Sequence, residues 1–249
     1  MMNERNANIE RQDGFSLIEM IIAMAITITI TAVASSLLAQ SMNIRVRANE
    51  KVDALADAQR ALNIMSREIA DAGFNLDDNG IVAEDSVIDE NLNSTIRIRS
   101  NLNKFNKDPR PWYPGSSVNS DAQNGISVAG ADAGEDVKYV LYPADDTNLL
   151  ARYDRYGGGK TVLANRLDSL HIHYFASKVS YSTDNSAQGC DITGASAAEV
   201  SPSAAKYLVI AVCVRQNAVG APGSPGYQPE SRVLLVSDVT LRNSNLQVY

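Results

Sequence analysis

The run from Phe15 to Ala39, FSLIEMIIAMAITITITAVASSLLA, constrains this chain more than any other feature. It is 25 residues long and carries one charge, Glu19. A bilayer core about 30 Å thick is spanned by roughly 20 apolar residues in a helix. This run passes that test, and nothing later in the chain does. Within it, AITITIT alternates as a strand would. An open strand in lipid leaves its backbone groups unpaired, whereas threonine hydroxyls in a helix bond back to preceding carbonyls. The run therefore predicts a membrane helix. With 20% charged residues, the rest of the chain reads as a folded, water-facing domain.

Residues 1–14, MMNERNANIERQDG, are polar and end in glycine. A secretory signal places its cleavage site after the apolar run, and here the order is reversed. Gly14-Phe15-Ser16-Leu17-Ile18-Glu19 resembles the type III signal of type IV prepilins and pseudopilins. The resemblance implies a cut after Gly14 by a membrane-embedded prepilin peptidase and N-methylation of the new N-terminal Phe15. It also implies an assembly salt bridge between Glu19 and the N-terminal amine of a neighbouring subunit. Glycine before the cut lets a protease approach the backbone closely. A carboxylate inside a membrane helix costs about 2.5–3.5 kcal/mol on insertion scales, so such a residue is usually functional and partnered. The local alternative is a glutamate tolerated near the helix start, where the dipole favours an anion. One feature runs against the resemblance. The leader sets Arg5 and Arg11 against Glu4, Glu10 and Asp13, while Arg45, Arg47 and Lys51 follow the span. The positive-inside rule alone would insert the segment the other way round.

Beyond Leu38 the chain turns polar but keeps helical spacing. Val52, Leu55, Leu62, Met65, Ile69 and Ala72 recur at helical steps, and Glu50, Lys51, Asp57, Arg60 and Glu68 fall on the opposite face. No proline or glycine interrupts residues 15–72, and Gly73 supplies a stop. The spacing predicts one continuous helix of about 58 residues, roughly 87 Å long.

Residues 74–249 read as a sheet-rich head. Predicted strands are Thr95–Arg99, Gly125–Ala129, Val137–Tyr142, Leu149–Tyr153, Leu170–Phe175, Tyr207–Val214 and Arg232–Leu241. Residues 154–161 read as a turn, and 181–203 and 215–231 as loops. The expected fold is α+β and pilin-like: a leader (1–14), a transmembrane and spine helix (15–73), and an antiparallel head (74–249). The helix end Met65–Phe74, the strand order and the closing Leu241-Arg242-Asn243 resemble W-type minor pilins and J-type minor pseudopilins. That resemblance implies a structural subunit of a type IV pilus, or of a type II secretion pseudopilus. Its partners would be other pilin subunits, prepilin peptidase and an inner-membrane assembly platform. The head would be periplasmic before assembly and in the filament afterwards. An adhesive or DNA-binding minor pilin is a further alternative. The formal charge of −7 repels phosphate backbones, so no nucleic acid is expected as a partner.

Other chemistry is sparse. Cys190 and Cys213 suffice for one bridge; in an oxidising compartment it would close a loop of about 24 residues and add about 3 kcal/mol. The alternative is a buried free Cys213 and a surface Cys190. GGGKT at 157–161 lacks the first glycine of a phosphate loop, which would stand at Asp154, and strand pattern follows it. Asn75-x-Asp77-x-Asn79-Gly80 resembles half of a calcium loop but has Ser86 where a bidentate glutamate belongs; an ordinary polar turn is the simpler reading. His171 and His173 share one strand face, too few for a closed metal site. Asp108–Pro114, DPRPWYP, reads either as a contact loop or as one packed on its own head. With no catalytic motif, neither an enzyme nor a cofactor is expected.

Overall fold

The structure, a computed structural model, describes residues 15–74, 76, 78–89, 93–100, 134–144, 147–155, 159–184, 186, 189–223 and 226–243. The leader, the expected strand at Gly125–Ala129, the Asp108–Pro114 loop, Asn75, Asp77, Gly157 and Gly158 lie outside them. By internal contacts the chain divides into Met1–Ala48 and Asn49–Tyr249, and each unit is described by itself.

One helix, α1, runs from Leu17 to Ala70 without a break. In the first unit its apolar side chains are exposed, Ile18, Ile22, Ile26, Val33 and Leu37 among them. The threonines hide their hydroxyls in the helix: Thr27 donates to the Ala23 carbonyl and Thr31 to that of Thr27, both at 2.7 Å. Among the described residues this is the one helix long and apolar enough to cross a membrane.

In the second unit, α1 packs on an antiparallel sheet, the fold class the sequence predicts. The strands are β1 (Ile96–Arg99), β2 (Asp136–Ala144), β3 (Thr147–Asp154), β4 (Gly159–Phe175), β5 (Ser182–Asp184), β6 (Asp191–Thr193), β7 (Tyr207–Gln216) and β8 (Ser231–Thr240). Six of them form one sheet in the order β1-β2-β3-β4-β7-β8, and β5 and β6 pair separately. Two expectations are corrected here. The fourth strand starts at Gly159 rather than Leu170, because it serves two neighbours in turn. Its first half pairs β3, its second half pairs β7, and the register shifts between Leu167 and Ser169, beside Arg166 at φ 59°. Such a bulge bends a strand without ending it. The 181–203 stretch is likewise not all loop, since it holds the β5–β6 hairpin and a short 3-10 turn at Pro202–Ala204.

The packing face of α1 follows the periodicity reading at Leu62, Met65, Ile69 and Ala72 and departs from it at Val52. Ala54, Ala58, Ala61, Leu62, Met65 and Ile69 are buried, whereas Val52 is 65% exposed. Alanines at these steps let the helix lie close to the strands, so the larger residues enter only toward the C-terminal end. They meet Ile96, Val137, Tyr139, Leu150, Leu170, Leu208 and Ile210 from the inner sheet face in one core cluster. The helix ends in a turn over Asp71–Phe74, where Gly73 takes φ +74° and its N–H donates to the Arg99 carbonyl at 2.9 Å. Gly80 packs against this turn. A Cβ there would lie 2.1 Å from the Gly73 nitrogen, so only glycine fits.

A second, smaller cluster of Phe175, Val179, Ile192, Tyr207 and Val209 lies on the other side of the sheet. These sheet residues alternate with the core-facing Tyr174, Leu208 and Ile210, as a period of two requires. Residues 176–184 and 189–200, with the β5–β6 pair, form a flap over this half of the outer face.

Candidate functional site

Ser16 immediately precedes the first helical residue and Glu19 stands three positions on. The Glu19 carboxylate accepts the Ser16 backbone N–H at 3.0 Å. This is half of a capping box, in which the third helical residue reaches back to the cap and satisfies one orphan donor. Ser-x-x-Glu before an apolar run is the sequence signature of such a cap. It places the carboxylate one turn from Phe15, itself 90% exposed. The local alternative for Glu19 is therefore a real contact. It occupies one carboxylate oxygen, and the other makes no bond among the described residues. An exposed apolar cylinder with one carboxylate near its start can associate laterally and accept a cation.

The head fastens α1 through charge as well as apolar packing. Glu68, assigned above to the solvent face, points instead at the sheet. Its carboxylate accepts the Tyr139 hydroxyl and the Arg152 Nε at 3.0 Å. Tyr139 is fully buried. Burial first, and the Glu68 charge second, push its phenol far above the usual range, so it stays a neutral donor. Burial works against the Arg152 charge, but the Glu68 bond and charge, with Tyr139 and Asp154, together outweigh it and raise its pKa. No sequence signal marks this trio, because its members are remote in the chain.

Outside this core, a cleft of about 480 Å³ opens on the outer face of β1–β3. Arg97 crosses it with bonds of 2.7 Å to both oxygens of Asp136 and 2.5 Å to Asp85. The Arg97 bond holds the Asp85 carboxyl below its usual range, against the effect of burial. Lys160 of β4 sits 3.9 Å from the Tyr142 ring centroid, a cation–π geometry. Hydrogen bonding with Tyr153 pushes the Tyr142 phenol up to about 12. Lys138 and Arg155 also line the cleft and pair with Asp85 and Asp136, so cations outnumber carboxylates there.

The remaining sequence candidates fall elsewhere. Cys190 and Cys213 are joined in a disulfide with Cα atoms 5.9 Å apart, tying the start of β6 to β7. Beside it both ring nitrogens of His173 meet carboxylates at 2.8 Å, Nε2 at Asp191 and Nδ1 at Glu199. His171 lies 3.8 Å from Asp191. A ring facing two acceptors donates from both nitrogens, which requires the imidazolium. Accordingly, burial opposes the charge on His173 but the two carboxylates outweigh it and raise its pKa. The structure thus uses the histidines to latch the flap. Asn79 of the calcium-like stretch turns inward, donating to the carbonyls of Pro202 at 2.8 Å and Ala205 at 3.0 Å. Among the described residues no group of three or more His, Cys, Asp or Glu is placed to hold a metal ion.

No curated protein and no solved structure matches the chain. Residues 10–38, which span the Gly14–Phe15 junction and the apolar run, match the family model described as the prokaryotic N-terminal methylation motif; the match supports a pilin-like N-terminus, and α1 is long and apolar enough to cross a membrane.

Proposed function

We propose that the protein is a minor pilin of a type IV pilus, a structural subunit and not an enzyme. The precursor is cut after Gly14, and Phe15 becomes a methylated N-terminus. The remaining chain keeps α1 as membrane anchor and then filament spine, with residues 74–249 as a periplasmic head. The observation that carries this reading is the order of parts at the N-terminus: polar leader, Gly14-Phe15, and Glu19 at the third helical position of an exposed apolar helix.

Glu19 supplies the assembly chemistry. Among the described residues its carboxylate has the Ser16 N–H as its one hydrogen-bond partner. A neighbouring Phe15 amine would neutralise it, relieving a cost of about 2.5–3.5 kcal/mol and setting the axial register between subunits. Mass spectrometry of the mature protein tests the cut: a methylated chain starting at Phe15 supports it, and one starting at Met1, or beyond residue 39, sinks it. Glu19→Ala tests the pairing, and unchanged incorporation into filaments would refute the role. Deleting the gene separates the machines, since loss of pili fits this proposal and loss of exoprotein secretion alone fits a J-type pseudopilin.

A further inference from the structure

One rung of the six-stranded sheet carries three cations. Arg97 of β1 stands opposite Lys138 of β2, Lys138 opposite Tyr153 of β3, and Tyr153 opposite Lys160 of β4. Residues directly opposite in antiparallel strands share a face, so all four belong to the outer face, in or beside the cleft described above. Like charges set opposite each other destabilise a ladder. At Arg97 and Lys138 the fold answers with Asp85, which meets them at 2.5 and 3.1 Å, and with Asp136. Across the cleft and its rim, four cations, Arg97, Lys138, Arg155 and Lys160, still face only these two carboxylates.

These charges are not equally committed. Arg97 gives all three of its nitrogens to Asp136 and Asp85 and serves as the floor. Lys138 has three donors and directs one at Asp85. Lys160 forms no ion pair among the described residues; its ammonium lies 3.9 Å from the Tyr142 ring centroid and 5.7 Å from that of Tyr153. Lys138 and Lys160 start two strands apart, roughly 10 Å, with the exposed Tyr153 ring between them. Val140 and Tyr142 make the adjoining wall. The volume, about 480 Å³, is that of a small-molecule site. The local excess of positive charge is opposite in sign to the chain's −7. A long polyanion would therefore meet an acidic surface beyond the cleft, while a compact anion meets only the lysines. The Tyr153 ring suits an apolar ring face. Asp85 has used two of about four acceptor positions, and with Thr95 it suits hydroxyl groups on the ring edge.

We infer that this cleft binds an acidic sugar, a pyranose bearing a carboxylate, with its C–H face on Tyr153 and its carboxylate between Lys138 and Lys160. The inference concerns the head alone and does not depend on where the N-terminus is cut or how α1 packs in lipid.

The experiment is saturation-transfer NMR on the full chain in sugar-free zwitterionic micelles. Glucuronate is the probe, and glucose at the same concentrations is its neutral counterpart. Titration should give glucuronate a Kd at least about tenfold below that of glucose, the gain of two exposed charge contacts. Lys160→Gln breaks no ion pair of the fold, so it should leave the thermal midpoint in place and weaken glucuronate about threefold. Tyr153→Ala should weaken it by about threefold as well. Lys206→Gln, an exposed lysine before β7, should change nothing. Equal affinity for glucose and glucuronate overturns the inference. So does glucuronate binding that Lys138→Gln and Lys160→Gln both leave intact. Inorganic phosphate or benzoate that displaces glucuronate at about a tenth of its concentration would assign the cleft to a simpler anion and overturn the sugar. Absence of saturation transfer to glucuronate from the folded parent chain overturns it outright.

Discussion

Removing the bridge between Cys190 and Cys213 tests how the flap is held. Alanine is the right replacement, because Cys213 is fully buried and a serine hydroxyl there would add its own desolvation cost. The sequence separation is 23. Chain entropy released to the unfolded state by opening a loop of that size amounts to about 3.4 kcal/mol at 25 °C. Unfolding entropy of about 2.1 cal/mol/K per residue, summed over a head of roughly 200 residues, converts this into a fall in Tm of about 8 °C. The measurement is thermal denaturation of the full chain in detergent, followed by circular dichroism, for the parent and for Cys190→Ala/Cys213→Ala at one pH. Hydrogen exchange adds the spatial readout. The bridge joins the start of β6 to a strand in the middle of the core, so amides of Ser182–Asp184 and Asp191–Thr193 should lose protection first while those of β7 keep theirs. A fall of less than about 2 °C with flap exchange unchanged would refute the reasoning, for the flap would then be held by its apolar cluster and the His173 latch without help from the bridge.

Three further outcomes are expected. The latch depends on pH with a definite sign: the raised pKa of His173 contributes stability that is complete below the ordinary imidazole pKa and is lost as pH rises through the folded value. The lowered pKa of Asp191 contributes stability that is lost as pH falls through its folded value. Flap protection in hydrogen exchange should therefore peak in mildly acid solution and decline on the alkaline side, and His173→Gln should abolish the alkaline decline. Tyr139→Phe removes a buried hydrogen bond to a charged acceptor and should cost about 1.5–3 kcal/mol; Glu68→Ala should cost more, and urea denaturation of the double variant should show less than additive loss. Gly80→Ala forces a Cβ into the Gly73 backbone at a positive φ and should cost at least about 2 kcal/mol, read from the same urea midpoints.

The long helix, its apolar start and its stop at Gly73 follow from composition and period alone, because a helix is a local structure and a bilayer reads length and polarity. Hairpin strands such as β2, β3 and β7 were legible for the same reason, as short alternating or apolar runs bounded by turn residues. The Cys190–Cys213 pair needed only a count of two cysteines. Pattern failed where one strand serves two partners. The strand pattern after GGGKT was legible, but nothing local announces that it serves two partners, since its bulge at Leu167–Ser169 is set by the different registers of β3 and β7.

What the sequence by itself determined is the pattern at the N-terminus: a polar stretch ending at Gly14, then Phe15, one carboxylate at Glu19 and an apolar run long enough to span a bilayer. Each part acts within one helical turn or through the summed polarity of one segment, so order and spacing suffice. What only the tertiary structure decided is which side of α1 meets the sheet, that Glu68 turns to Tyr139 and Arg152, that His173 latches a flap, and that β8 is the last strand of the sheet. These depend on atoms brought together from positions 71 and 84 residues apart in the Glu68 network, and one-dimensional period carries no information about such meetings. Alanines at 54, 58 and 61 show the limit best. They are weakly hydrophobic in the sequence, yet they form the buried face, because close approach to the sheet selects for small volume over apolarity.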